Sequence, residues 1–131
     1  MIGLDTNVLV RFVTHDEPRQ SRRAAAAIRD AAESGEPLFV SAIVLCELVW
    51  VLRRAYRHSR QEIGLVLDAV IETPEWAVED RDLARLALGD YRAGIGDFAD
   101  AFLGHRNRST GCSATLTFDR AFDRSILFRQ L

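Results

Sequence analysis

Short unbroken apolar runs alternate along this chain with longer segments of helical period. The runs at 2–5, 38–40 ("LFV"), 76–78 ("WAV") and 113–118 ("SATLTF") read as strands, and 126–130 as a fifth. Continuous apolar strands are expected where both faces of a sheet are covered. Between them, 7–13 predicts a helix or turn, and 19–33 a helix closed by Gly35 and Pro37. Ser41 suits the N-cap of a helix running to about 57, and a further helix follows over 60–71, with Pro74 ending that region. Residues 79–94 are amphipathic, Asp97 can cap a helix to about 108, and 119–124 read as a helical turn. Alternating strands and helices predict an α/β fold: a three-layer α/β/α sandwich with a short central parallel sheet of 4–5 strands. One domain over 1–131 is expected, with no linker or repeat.

Composition narrows the class. Hydrophobic content of 48% and charged content of 27% fit a soluble globular protein. The longest apolar run, 42–52, has 11 residues and contains Glu47, too short to span a bilayer. Asp5 breaks the opening run, so no secretory signal is expected, and the cytoplasm is the expected compartment. Cys46 and Cys112 read as two buried thiols without zinc-ligand spacing. Net charge is −2, and all 17 basic residues are arginine. A chain without lysine excludes any lysine-dependent mechanism. His15, His58 and His105 read as surface residues.

Several carboxylates interrupt the apolar pattern. Ile2, Leu4, Val8, Leu9, Val10 and Phe12 read as core, yet Asp5, Thr6 and Asn7 lie among them. A carboxylate in such surroundings is costly without a partner. Glu47 lies in a helix that is apolar on every side, where it is a neutral core glutamate, an ion-pair partner of Arg53 or Arg54, or a site residue. Asp97 and Asp100, three apart, share a helix face, and Asp119 follows the end of a strand as Asp5 does. Capping alone would explain Asp97 or Asp119. Together the five acids call for a cation, and oxygen-only donors select Mg²⁺ or Mn²⁺. In parallel sheets ligands bind beyond the carboxyl ends of the strands, where Asp5 and Asp119 fall.

The runs "GLDTNVLVR", "SAIVLCELVWVL", "DFADAFLG" and "TLTFDRAF" occur in that order. In this order and spacing they resemble the PIN-domain nucleases, and most of all the VapC-type toxins of type II toxin–antitoxin pairs, over nearly the whole chain. The resemblance implies a PIN-like fold and Mg²⁺- or Mn²⁺-dependent endoribonuclease activity, by carboxylate-held metal activation of water. It implies Asp5, Glu47, Asp100 and Asp119 as catalytic acids, with Asp97 as an additional metal-site acid. Thr6 and Asn7 would buttress Asp5, and Thr117 would support Asp119. Gly104 stands where alanine is commoner, at a cost in helix propensity alone. The implied partners are an RNA substrate, a cognate VapB-type antitoxin and a second copy in a homodimer, with higher toxin–antitoxin assembly as an extension.

The residues around Leu48, Trp50, Val51, Leu65, Val66 and Val70 are the expected dimer surface. An antitoxin segment would take the remaining apolar groove and reach the acids with an arginine. With the five acids set aside, 17 basic residues stand against 14 acidic ones. Arg11, Arg53, Arg54, Arg57, Arg106 and Arg108 flank the motifs and suit phosphate. A haloacid-dehalogenase-type phosphatase would need a second aspartate at position 7 and a lysine, and receivers need the same lysine. A carboxylate-pair glycosidase is disfavoured by more than two acids. The remaining alternatives are a non-toxin PIN nuclease and an acidic-patch interaction module.

Overall fold

Capping side chains set where most helices begin. In this computed structural model, which describes residues 1–131, the chain divides into two units, Met1–Glu79 and Asp80–Leu131. In the first, strand β1 (Ile2–Gly3) gives way at once to helix α1 (Thr6–Thr14), because Asp5 caps it by accepting the Asn7 N–H at 3.4 Å. Helix α2 (Pro18–Ser34) starts with Pro18 and the Glu17 cap and stops at Gly35. Gly35 takes φ 71° and donates to the Ala31 and Ala32 carbonyls. Strand β2 (Leu38–Val40) leads into α3 (Ala42–Arg54), capped by Ser41. Helix α4 (Arg60–Ile71) opens with a full capping box of Ser59 and Glu62, and strand β3 (Trp76–Val78) closes the unit.

β1, β2 and β3 form a parallel ladder in that order, with Ile2 opposite Leu38 and Leu38 opposite Trp76. Each crossover carries two helices. Leu9, Val40, Leu45, Leu48, Leu52, Ile63, Leu67 and Ile71 are fully buried beneath them. Two bounds differ from the sequence reading. β1 is shorter than 2–5 because residues from Asp5 on serve the next helix. α3 stops short of 57 because Arg57 takes a left-handed φ of 55°, which no α-helix continues through.

The second unit pairs α5 (Arg81–Arg92) with α6 (Phe98–Ser109) and adds strands β4 (Thr115–Thr117) and β5 (Phe128–Gln130), joined by a 3₁₀ turn (Arg120–Phe122). Tyr91 meets Phe98 edge-on at 6.4 Å, and Phe98 meets Phe102 at 6.0 Å. β4 and β5 are parallel, with Thr115 opposite Phe128. All five expected strands form and pair parallel. Their hydrogen bonds join them as a ladder of three and a ladder of two, instead of one run of 4–5. No helix is long and apolar enough to cross a membrane.

Gly104 is a packing residue, not merely a weak helix former. A Cβ there would stand 2.6 Å from the Phe128 ring. At Gly96, φ is 62° and a Cβ would stand 2.2 Å from the Phe122 ring. Gly89, also helical, has open space. Gly104→Ala is therefore expected to destabilise by about 1–3 kcal/mol through overpacking. Gly89→Ala is expected to stabilise by about 0.5–1 kcal/mol through helix propensity. Urea unfolding of the two variants should move in opposite directions.

Candidate functional site

In the first unit the site residues lie at the carboxyl ends of β1 and β2. Asp5 is exposed, and its carboxylate caps α1. The expectation of a carboxylate within buried core is thus corrected: the chain turns to the surface at Asp5, and Ile2 is also exposed. Thr6 is the buried member of the trio, and its hydroxyl donates to Glu47 Oε1 at 3.2 Å. Thr6 therefore braces Glu47 and not Asp5. Asn7 serves Asp5 through its backbone N–H.

Glu47 is also exposed, contrary to the reading of a helix with no polar face. Positions 43, 47, 50 and 54 recur at helical spacing, and all four are exposed. Glu47 thus stands on the one open stripe of α3, between Ile43 and Trp50. The Arg54 guanidinium lies 5.7 Å from the Trp50 ring centre and the stripe continues past Glu47 to it. Glu79 has a part the sequence did not signal. Just after β3, its Oε2 accepts the Ala42 N–H at 2.7 Å, at the start of the helix that carries Glu47.

In the second unit three acids share one electrostatic environment. Asp97 caps α6, its Oδ1 accepting the Phe98 N–H at 3.1 Å. Asp119 caps the 3₁₀ turn, its Oδ1 accepting the Ala121 N–H at 2.9 Å. Asp100, one turn into α6, has its pKa pushed above the usual carboxylate value by partial burial, then by the charges of Asp97 and Asp119. Thr117 accepts the Asp119 N–H at 2.9 Å, and the Gln130 amide donates to the Asp119 carbonyl. Thr117 thus supports Asp119 as the sequence suggested; Gln130 carried no signal, since β4–β5 pairing alone brings it there.

The donor chemistry suits a hard divalent cation, because every acid named offers oxygen and Asp100 carries an unrelieved electrostatic cost. No three Asp, Glu, His or Cys side chains are gathered closely enough to form a ready metal cage. Several basic residues named from sequence are engaged elsewhere. Arg11 is bonded to Gln20, Asp16 and Tyr56, and Arg106 is paired with Asp80. His105 is not a surface residue: its side chain is 15% exposed and its Nε2 lies 2.8 Å from Asp90. Cys112 is exposed instead of buried, and Cys46 is half-buried.

The PIN domain family model matches residues 2–125, running through both units and all five candidate acids. A VapC ribonuclease of Aquifex aeolicus (strain VF5) is 27% identical over 121 residues, which is 92% of this chain and 89% of that protein. With the family model spanning nearly the whole chain, the chain belongs to the PIN domain family.

Proposed function

We propose that this protein is a Mg²⁺- or Mn²⁺-dependent endoribonuclease, one PIN domain over 1–131, acting as the toxin of a toxin–antitoxin pair. The observation that carries the reading is similarity to a VapC ribonuclease along 92% of the chain. The charge coupling of Asp97, Asp100 and Asp119 supports it, because acids held against their own repulsion are suited to a cation. Asp5, Glu47 and Asp100 are the proposed direct ligands, with Asp97 and Asp119 holding the ion directly or through water. When bound, the ion supplies the charge that activates water and stabilises the leaving oxygen of a phosphodiester.

The chain's own groups supply position. Thr6 holds the Glu47 carboxylate by a hydroxyl bond of 3.2 Å. Glu79 fixes the start of α3, and Thr117 fixes the backbone that presents Asp119. The proposed setting is the cytoplasm, with RNA as substrate, a VapB-type antitoxin as inhibitor and a homodimer as the unit of assembly. Leu48 and Val70 are buried in the core and cannot serve that dimer. Trp50 and Leu65, 55% and 63% exposed, remain its natural contacts. Leu65→Arg is expected to halve the mass seen in sedimentation velocity while leaving the thermal transition in place.

Asp5→Asn, Glu47→Gln and Asp100→Asn should each lower RNA cleavage by at least about a hundredfold, since even groups behind metal ligands are worth about 10- to 100-fold. Asp119→Asn should fall within that lesser range. Full cleavage in excess EDTA would overturn the metal-dependent reading. An acidic interaction module would show neither cleavage nor a rise in melting temperature with Mg²⁺ or Mn²⁺.

Asp100 yields a separate test by proton linkage. Its folded pKa lies above the ordinary 3.8. The stability it contributes is fully present below 3.8, where both folded and unfolded forms are protonated, and is lost as pH rises through the raised folded value. Ionised Asp100 therefore destabilises the metal-free fold at neutral pH. Asp100→Asn should melt higher than the parent at pH 7 in EDTA, and the gap should close below pH ~4. Added Mn²⁺ should raise the parent more than the variant.

A further inference from the structure

We propose that Phe118 is a base-stacking residue for single-stranded RNA, with Arg129 on the paired strand to meet a phosphate of the same RNA; this rests on the ribonuclease reading above. Phe118 is 80% exposed, more than any other aromatic side chain in the protein. The other six phenylalanines are buried or half-buried. A ring left in water forgoes the burial that normally stabilises it. It also immediately precedes Asp119, one of the three charge-coupled acids.

The backbone that presents the ring is fixed without the ring's help. Thr117 accepts the Asp119 N–H, Asp119 accepts the Ala121 N–H, and the Thr117 carbonyl accepts the Leu131 N–H at 2.9 Å. Strand alternation places Leu116 on one side of β4, with Thr115 and Thr117 on the other, and Phe118 follows in the bend just after the strand. Leu116 is exposed as well, and the parallel register sets Arg129, also exposed, opposite it. An exposed aromatic ring thus follows β4 directly, and an exposed guanidinium stands on the strand paired with it. That is the combination by which proteins hold single strands, stacking on a base and pairing with the backbone.

The choice of RNA over a protein partner follows from size and charge. A stable protein interface covers roughly 800 Å² per partner. Here the exposed large apolar side chains around β4 and β5 are Leu116, Phe118, Ile126 and Leu131, interspersed with the exposed Arg120, Arg124 and Arg129. The chain from 120 to 131 carries three arginines and one aspartate, which favours a polyanion. A base is the occupant that fits a single ring next to the proposed cleavage site.

The test measures cleavage of short single-stranded RNAs by the parent, Phe118→Ala and Phe118→Trp. One series of substrates carries a single abasic nucleotide at each position around the cleaved bond. Phe118→Ala is expected to lose about 10- to 100-fold in kcat/KM, mainly through KM. Phe118→Trp should restore it. At one position the abasic nucleotide should cost the parent a similar factor and cost Phe118→Ala nothing further. Arg129→Gln should weaken binding and reduce the salt slope by about one.

Unchanged kcat/KM in Phe118→Ala, or losses that multiply at every abasic position, would overturn the proposal. Binding of 2-aminopurine-substituted RNA in EDTA reads stacking without cleavage. If the parent does not cut RNA but quenches 2-aminopurine and Phe118→Ala does not, the stacking proposal stands and the ribonuclease reading fails. A Phe118→Ala protein that binds RNA as the parent does but sediments at a lower mass would assign the ring to a protein interface instead.

Discussion

A half-buried Asp100 that also feels the charges of Asp97 and Asp119 is the constraint the second unit has to accommodate. Partial burial raises the Asp100 pKa most, and the charges of Asp97 and Asp119 raise it further. The unit tolerates the cost because its packing lies elsewhere. Tyr91, Phe98 and Phe102 lock α5 against α6, and Gly104 lets the Phe128 ring lie close against the helix. Asp97 and Asp100 both fall at the amino end of α6, where the unpaired N–H groups favour negative charge. The helix start offsets part of what a cation would neutralise. The rest remains a cost to the metal-free fold at neutral pH.

The first unit solves a different problem. Glu47 occupies an exposed stripe that Ile43 and Trp50 make largely apolar. A long flexible carboxylate there would sample many rotamers, each costing entropy to fix. The buried Thr6 hydroxyl narrows that freedom at one end, and Glu79 anchors the backbone of the same helix at its start. Both restraints come from residues at strand ends, so the sheet sets the position of a side chain on a helix.

The parts of the fold legible in the sequence were those fixed by local chemistry. β2, α4 and β3 begin and end where LFV, the helical pattern over 60–71 and WAV put them, because each signal lies within a few residues of its effect. Asp97 and Asp119 were recognisable as caps for the same reason. What escaped depends on distant parts of the chain. His105 finds Asp90 fifteen residues away on another helix. Gly104 answers to a ring in β5, and the split of five strands into ladders of three and two is a matter of pairing, not propensity. Glu47 was misjudged because a helix apolar all round gives no periodic clue to its open side, which is set by what packs against the others.

For the acids, capping and metal binding were weighed as rivals, yet they are compatible. Asp5, Asp97 and Asp119 each cap with one carboxylate oxygen, to Asn7, Phe98 and Ala121 respectively. A carboxylate has two oxygens and about four acceptor sites, so a capping bond leaves it able to accept others. The cap also fixes χ1 and the position of the head group. That is what a cation requires of a ligand, since flexible acids must lose rotamer freedom before they can bind. Asp100 makes the contrast: it lies inside the helix, does not cap, and takes the full effect of its neighbours' charges. In the second unit Asp97 and Asp119 are held by helix starts while Asp100 feels both of their charges, which makes a division of labour. The caps set position, and Asp100 supplies the electrostatic demand.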